Sequence, residues 1–513
     1  MRDPITGIVL TIPLHSRDVT PLSFYFAHAL ANGFIAEEHH INGQRITGWI
    51  ESGTTCRMGT YKTWYTINFQ QPVKFTDNIK HSLTLVCPKR LDLKVNFSAQ
   101  PVLEPVPTAN WNNELSRIKV SGDPNEMRLF YSLFYRCLQA PYQVSAQKYS
   151  GWSIWDNYRT ELPLLSLIAT ERYKDIVYSI ANLYKNGKKD WSGRNELSNT
   201  VRTEHAIVVL LDAYRKGYPV DFASIKDSLI AENMRLDFKT PDKALESSYD
   251  TWALSEICKI LHQDSLSSFY RDKAANWRTY WDVDFRNLNR SDVDQLEARG
   301  MYQGTIWQYR WFVPFDAKGL VNACGGESAY LQQMDAFFAG DYYCASNEPD
   351  LQVPYGYQFT SQTWKSQAAI RKYAQDTVVQ YYQDLNYRGI GAQVRRVYEN
   401  QPEGLLQTMD DDGGEMSSWY VMAAIGLSPA CVGWPVYYLH VPIFPNVTIG
   451  KLHIKVKGKG RYITAVQWNG KNYARNWITH QQLTGGGELI IYAATKPNKN
   501  FGVRDQWITD IKN

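Results

Sequence analysis

The sequence has few of the features that mark membrane-spanning or nucleic-acid-binding proteins. Nowhere do eighteen apolar residues follow one another, as a transmembrane helix requires. The 55 basic and 51 acidic residues nearly balance to a formal charge of +4, without a long Lys/Arg run. The N-terminus lacks a basic segment followed by a long apolar one. We therefore expect a soluble chain without a leader, without membrane insertion and without a nucleic-acid partner.

Cysteine is scarce as well. The seven cysteines are odd in number, widely scattered, and show no CxxC or Cys/His spacing. This pattern predicts neither a structural zinc site nor a dense disulfide framework.

Aromatic residues, by contrast, are abundant. The chain contains 17 Trp and 34 Tyr, and aromatic residues make up 14% of it. Sugar-binding proteins often have this composition, because the apolar face of a pyranose stacks on a flat ring while its hydroxyls bind polar groups. A large aromatic-rich core would explain the composition equally well.

The pattern along 513 residues indicates more than one domain. In residues 44–98, β-branched and aromatic side chains recur in an alternating pattern, as is typical of antiparallel strands. A Pro-rich linker at 100–111 follows, and from 434 onward strand patterns return. We predict an α+β multidomain protein, with an N-terminal β-sandwich-like domain over 1–108 and a helical toroid with C-terminal β-strands over 109–513.

The region between these strands has a helical period. Asp123 and Pro124 form an N-cap and first-position pair for its first helix. Further helices are predicted at 157–169, 174–186, 204–216, 223–234, 246–262, 265–281, 327–339, 362–384 and 415–426. About ten helices with short connections and no repeat of fixed length favour an α/α toroid over a solenoid.

Three polar segments between the predicted helices carry candidate site residues. In "GWSIWDNYRTELPLL", Asp156 and Arg159 lie three apart beside Trp155, although Asp156 could equally be a helix cap paired with Arg159. "YQGTIWQYRWFVPFD" contains Trp307 among many amide and indole donors, which either line a polar pocket or are unusually well hydrogen-bonded. "SNEPDLQVPYGY" adds Glu348 before a proline, which alone is weak evidence.

The segment "TMDDDGGEMSSWY" places three aspartates side by side. Acidic triplets are usually solvated loop charge. Here Asp410, Asp411 and Asp412 are followed by a Gly-Gly pair and then by an apolar helix. Backbone N–H groups and the helix dipole stabilise ionised carboxylates in that position, which suits a general base.

These segments together resemble glycoside hydrolase family 92, the calcium-dependent, inverting, exo-acting α-mannosidases. The resemblance runs from about residue 44 to the C-terminus and includes "WDNYR", "WQYRWFVPFD", "NEP" and "MDDDGGEMSSWYVMAAIGL". It implies an N-terminal β-sandwich packed on an (α/α)6 toroid, a bound Ca²⁺, a mannose-containing glycan as substrate, and a secreted or periplasmic location.

The resemblance also implies roles for individual residues. Asp410 and Asp412 would share the role of base, and Glu348 would bind the metal. The substrate-binding candidates are Trp155, Asp156, Arg159, Trp307 and Asn347.

The chain departs from the family pattern in several places. Its N-terminal sandwich is about half the length found in the family, and the family's secretion signal is missing, so we expect a shortened sandwich or a fragment. Asp410 stands where the family has Asn, Glu415 where it has Gln, and Ser346 where it has Gly.

A further departure is Gln303, which stands where the family has its general acid, a glutamate. Glutamine donates a hydrogen bond but cannot deliver a proton. Family members that cleave mannose from a mannosyl phosphate resemble this chain in having Gln at the acid position. They need no acid there, because a phosphate diester leaves as a stable anion. Alternatively, Glu348 or Glu297 supplies the proton, or activity is impaired. The functions considered are therefore an α-mannosidase, an α-mannosyl phosphodiester hydrolase, and a non-catalytic mannoside-binding relative.

Overall fold

In a computed structural model of the protein, the chain divides into two compact units. Unit 1 comprises residues 1–113, 140–153 and 189–203, and unit 2 comprises 114–139, 154–188 and 204–513. The residues that the structure describes are 8–13, 20–26, 34–53, 60–87, 90–98, 111–145, 147–150, 153–185, 203–381, 392–401, 404–406 and 409–512. The predicted linker and the predicted boundary at 108 lie largely outside these ranges, so the domain division stays a prediction.

The strands of the described residues are, in chain order, β1 (Ile8–Pro13), β2 (Thr20–Tyr25), β3 (Phe34–Asn42), β4 (Arg45–Gly53), β5 (Thr60–Phe69), β6 (Lys74–Ile79), β7 (Ser82–Cys87), β8 (Arg90–Ser98), β9 (Ile118–Ser121), β10 (Tyr142–Ser145), β11 (Lys148–Ser150), β12 (Val378–Gln380), β13 (Gln393–Arg395), β14 (Leu427–Pro429), β15 (Val436–Leu439), β16 (Asn446–Ile449), β17 (Leu452–Gly458), β18 (Tyr462–Trp468), β19 (Lys471–Asn472), β20 (Trp477–Thr479) and β21 (Gly487–Ala494).

The helices of the same residues are α1 (Trp111–Leu115), α2 (Pro124–Arg136), α3 (Ile154–Asn157), α4 (Glu161–Ile168), α5 (Thr170–Lys185), α6 (Ala206–Arg215), α7 (Phe222–Asn233), α8 (Pro241–Ile260), α9 (Asp264–Ala275), α10 (Trp277–Asp284), α11 (Ile306–Tyr309), α12 (Ala317–Ala323), α13 (Glu327–Ala339), α14 (Thr363–Gln375), α15 (Glu415–Ile425) and α16 (His480–Gly485). None of them is long and apolar enough to cross a bilayer.

Among the described residues, unit 1 contains two antiparallel sheets around one core, together with the antiparallel pair β10-β11. The larger has the order β1-β8-β5-β4-β3 and the smaller β2-β7-β6. Alternate residues face inward, so that Leu83 and Leu85 of β7 share a buried cluster with Leu91 and Leu93 of β8. The predicted β structure over 44–98 and its sandwich character are confirmed. Strands β1 to β3, which precede residue 44, were not predicted.

The first long helix of unit 2 begins where the sequence predicts. The Asp123 side chain accepts hydrogen bonds from the backbone N–H groups of Asn125 and Glu126, and Pro124 occupies the first helical position. Leu129 and Phe130 are among the residues that this helix buries.

Several predicted helices differ from the observed ones: the helix predicted at 157–169 begins at Glu161 after the separate helix α3, and the helix predicted at 246–262 begins at Pro241. The helix predicted at 265–281 is divided into α9 and α10 at Asn276, whose side chain accepts a hydrogen bond from Thr279 Oγ1 in the first turn of α10. The helix predicted at 362–384 ends at Gln375, since the β-branched pair Val378 and Val379 forms strand β12. The closure of the helices into a six-hairpin toroid stays a prediction.

The C-terminal strands predicted from residue 434 form two further sheets. One has the order β14-β15-β20 and the other β19-β18-β21-β17-β16-β9. Strands β17 and β21 run parallel. Strand β9 comes from the start of unit 2 and pairs with β16. The two ends of unit 2 therefore meet in one sheet.

Candidate functional site

Three acidic residues from distant segments of unit 2 meet at one point. Asp156, Glu348 and Asp412 each place a carboxylate oxygen within 4.8 Å of the others. The Asp156 and Glu348 side chains are buried, whereas Asp412 is partly exposed. We call this set the carboxylate cluster. Two of its members, Glu348 and Asp412, were predicted as metal ligand and base, and the third, Asp156, as a substrate-binding residue.

The residue after Asp156 links helix α3 to the loop that carries Asp412. Asn157 Nδ2 donates to the backbone oxygens of Asp412, at 3.3 Å, and of Gly413, at 3.2 Å. Gly413 has φ +70°, and a Cβ there would lie 2.7 Å from Asn157 Nδ2. A side chain at 413 would therefore both strain the backbone and break this contact. Helix α3 begins at Ile154, so Asp156 lies inside the helix and not at its cap.

The other two aspartates of the triplet have different surroundings. Asp411 Oδ1 accepts from the backbone N–H of Ser417 at 2.9 Å, which ties the loop to the first turn of α15. Burial raises the pKa of Asp411 to about 6. Asp410 is exposed and lies outside the carboxylate cluster. Its proposed role as a base stays a prediction.

A short 3₁₀ turn, Glu348–Asp350, positions Glu348. The Asp350 carboxylate accepts from the backbone N–H of Cys344 at 2.9 Å, and Trp419 Nε1 donates to the carbonyl of Leu351 at 3.1 Å. Glu348 is only 1% exposed, and its Oε1 has no hydrogen-bond partner among the described residues. Burial, and then the neighbouring Asp412 carboxylate, raise its pKa well above the ordinary value.

Together these observations fit a cation site. Carboxylates brought this close in a buried place repel one another unless a positive charge lies among them. Hard divalent cations such as Ca²⁺ prefer carboxylate oxygens, and the unpartnered Glu348 oxygen offers one.

An arginine and a tryptophan lie beside the cluster. The Arg159 guanidinium lies 4.7 Å from the ring centroids of Trp155 and Tyr158 and donates to the Trp155 carbonyl. Its Nε and Nη2 are buried and have no partner among the described residues. A buried guanidinium with two unused donors can bind sugar oxygens, and the adjacent carboxylates compensate its charge.

Gln303 lies close to the same cluster. Gly304 has φ +70°, and a Cβ there would lie 3.1 Å from the Pro349 side chain, so this segment packs against the turn that carries Glu348. Gln303 is half-buried, and its Oε1 has no hydrogen-bond partner in the described part of the chain. The preceding Tyr302 ring meets Trp155 edge-on at 6.0 Å. The position where the resemblance expects a general acid therefore borders the cluster.

Comparison with known proteins decides the family. The family model of the glycosyl hydrolase family 92 catalytic domain matches residues 104–244 and 239–494, which together are most of the chain. The chain belongs to glycosyl hydrolase family 92. A curated relative, an uncharacterized secreted glycosidase of Arthroderma benhamiae, is 27% identical over 199 residues, which are 37% of this chain and 23% of the relative. The match thus spans about a quarter of that relative's length.

Solved structures of the family share the fold. A family 92 α-mannosidase of Bacteroides thetaiotaomicron in complex with mannoimidazole has a TM-score of 0.76 at 19% identity and covers 98% of this chain and 79% of its own. A family 92 inverting mannosidase of the same organism has a TM-score of 0.75 at 19% identity, with coverage of 99% and 83%. The α+β multidomain fold that the resemblance implied is thereby confirmed.

The remaining predicted substrate residues lie in two places. Asn347 directly precedes Glu348 and is 5% exposed. Trp307 packs in an aromatic cluster, where it stacks on Tyr342 at 5.3 Å and contacts Phe337. Their roles in substrate binding stay predictions.

The sequence analysis missed two acidic groups beside the site. Glu246 of α8 accepts from Trp155 Nε1 at 2.9 Å and from the Tyr309 hydroxyl at 3.0 Å. Glu161 of α4 is fully buried, and burial raises its pKa. Neither stands in an acidic run or next to a glycine, and a single acid in a helix is ordinary in sequence. Only the contacts reveal them.

Glu415 is a buried acid whose protonation is linked to folding. Its carboxylate accepts from the N–H groups of Thr160 and Glu161, both at 3.1 Å, and from Thr160 Oγ1 at 2.8 Å. Burial raises its pKa from 4.5 to about 7 despite these bonds.

The substitution Glu415→Gln tests this linkage. Between about pH 4.5 and 7 the native state retains a proton that the unfolded state releases, so the stability of the wild type falls as pH rises. The variant loses this slope and should gain up to about 3 kcal/mol relative to the wild type on going from pH 4.5 to pH 8. Urea unfolding of both proteins at the two pH values measures the difference, and parallel pH profiles would contradict it.

Proposed function

We propose that this protein hydrolyses terminal α-mannosides by a cation-dependent, inverting mechanism. The observation that carries the proposal is the meeting of Asp156, Glu348 and Asp412 in a chain that belongs to glycosyl hydrolase family 92. The α-mannosidases with the same fold support the choice of sugar. The secreted description of the Arthroderma relative supports a secreted or periplasmic location.

The side chains divide the work as follows. Asp412 accepts the proton of the attacking water, since it is the member of the cluster that reaches solvent. Attack from the face opposite the leaving group inverts the anomeric centre. Arg159 holds the sugar through its unused donors, and Trp155, whose ring packs against the guanidinium, positions Arg159.

The cation that fits the carboxylate cluster is Ca²⁺. Asp156, Glu348 and Asp412 would hold it, and a carboxylate has two oxygens, so Asp412 can contact the cation with one and accept a proton with the other. When bound, the ion supplies positive charge that polarises sugar hydroxyls and stabilises developing charge.

A panel of α-mannobioses with different linkages and an aryl α-mannoside tests the function. We expect release of free mannose whose first-formed anomer is β, observed by proton NMR during the first minutes of reaction. Retention of the α anomer would contradict the inverting mechanism. Binding of mannosides without turnover of any substrate would favour the non-catalytic relative.

A second candidate function follows from Gln303. Its amide stands at the edge of the cluster and cannot deliver a proton. A phosphodiester leaves as an anion without protonation, and a carboxylate at this position would repel it. An α-mannosyl phosphodiester is therefore the alternative substrate.

The substitution Gln303→Glu separates the two substrates. If phosphodiesters are preferred, the variant should shift the ratio of kcat/KM for a mannosyl phosphodiester to that for a mannobiose by about 10²-fold or more in favour of the mannobiose. Steady-state kinetics on both substrates measure the ratio. An unchanged ratio, or a wild type that cleaves mannobiose as fast as the phosphodiester, removes this candidate.

A further inference from the structure

Two hydrogen-bond donors hold the carboxyl group of Glu246 in place. Two donors, Trp155 Nε1 at 2.9 Å and the Tyr309 hydroxyl at 3.0 Å, point at the same oxygen, Oε1. An oxygen that accepts two hydrogen bonds has no room for a proton of its own, and the two donors fix the orientation of the carboxyl group. Any proton on Glu246 is therefore carried by Oε2.

The second oxygen, Oε2, makes no hydrogen bond to the part of the chain that the structure describes. Glu246 is only partly buried. An Oε2–H group at this position can donate outward while Trp155 and Tyr309 keep the carboxyl group in place.

The charged surroundings favour the neutral form. Burial raises the pKa of Glu246, and Asp242 on the same helix adds to that effect. His205 at the start of α6, the hydrogen bond from Trp155, and Arg159 lower the pKa, without reversing the effect of burial. The group therefore retains its proton to higher pH than an exposed glutamate.

Glu246 is also connected to the segment that contains Gln303 through packed aromatic side chains. Trp155, which it binds, directly precedes Asp156 of the carboxylate cluster. The ring of Tyr302, the residue before Gln303, packs edge-on against Trp155. Two aromatic residues in contact, Trp155 and Tyr302, thus connect Glu246 to the position where Gln303 replaces the family's acid.

We propose that Glu246 is the general acid of this protein, in place of the glutamate that Gln303 replaces. The proposal rests on the α-mannosidase function. In the reaction, Oε2–H gives its proton to the glycosidic oxygen as the C1–O bond breaks, and the bonding electron pair stays on that oxygen, so that an alcohol leaves. Water adds to C1 and gives its proton to Asp412. Solvent then returns a proton to Glu246 and removes one from Asp412.

Leaving-group dependence tests the proposal. Glu246→Gln keeps an oxygen for Trp155 and Tyr309 but has no acidic proton. It should lower kcat/KM on α-mannobiose by about 10²–10⁴-fold, and on 2,4-dinitrophenyl α-mannoside, whose leaving group needs no proton, by less than about tenfold. The alkaline limb of the wild-type pH profile on mannobiose should disappear in the variant. Glu232→Gln on α7, where a glutamate also accepts from a tyrosine, is the matched control.

A second variant keeps the proposal testable if Glu246→Gln folds poorly. The hydrogen bond from Tyr309 to Oε1 stabilises the ionised form of Glu246. Tyr309→Phe removes this bond and should therefore move the alkaline limb to higher pH.

The outcomes distinguish the role of Glu246 from the proposed α-mannosidase function. Equal losses on both substrates, or no loss on mannobiose, would overturn the role of Glu246 alone. So would a wild type that cleaves the dinitrophenyl mannoside but not mannobiose. A wild type that cleaves neither overturns the proposed function, and the role of Glu246 with it.

Discussion

Replacing Asp412 by Asn should lower kcat on an α-mannoside by on the order of 10³-fold, with little change in Tm. The Asn side chain has nearly the same shape but cannot accept the proton of the attacking water. The loop itself is held by the backbone oxygens of Asp412 and Gly413, which Asn157 binds and which the substitution retains. The effect should therefore fall on kcat more than on folding.

Two comparison variants sharpen this measurement. Asp227→Asn on α7 changes a side chain that is 95% exposed and should leave kcat within about tenfold of the wild type. Asp410→Asn shows whether Asp410 shares the role of base, since it lies outside the carboxylate cluster. A kcat of Asp412→Asn within about tenfold of the wild type removes Asp412 from the mechanism.

Removing the cation should have the second large effect. Treatment with EGTA is expected to lower kcat/KM by about 10²-fold or more, and added Ca²⁺ should restore it. Without positive charge, Asp156, Glu348 and Asp412 repel one another, and the least solvated of them, Glu348, takes up a proton. Turnover that survives complete chelation would show that the cation assignment is wrong.

Stability provides a readout of the same site that does not depend on turnover. Ca²⁺ at a hundred times its Kd should stabilise the native protein by about 2.7 kcal/mol, visible as a rise in Tm. Glu348→Gln should lose most of this shift, because the buried Glu348 oxygen is one of the expected ligands. A Tm of the wild type that does not respond to Ca²⁺ would contradict the site.

Local features of this fold could be predicted from sequence, whereas spatial ones could not. Asp123 and Pro124 mark the start of α2 because capping depends on neighbours in the chain. The end of α14 was misplaced, because the pairing of Val378 and Val379 with β13 depends on residues further along the chain. Element types were therefore easier to predict than their ends.

The same division applies to the site. The resemblance led to Glu348 and Asp412, but only the structure brings them to Asp156, which sequence analysis assigned to the sugar. Glu246 carries no local signal, since its meaning comes from Trp155 and Tyr309, which are far from it in the chain. A catalytic role that depends on contacts between distant segments is visible only in the folded structure.

The pairing of β9 with β16 has a consequence for the folding of the chain during its synthesis. Residues 118–121 leave the ribosome long before residues 446–449, with which they form a ladder. At about 5–20 residues per second, β9 waits roughly 15–65 s for its partner. During that interval its edge is open to other chains. Nascent protein should therefore depend on chaperones that shield this strand.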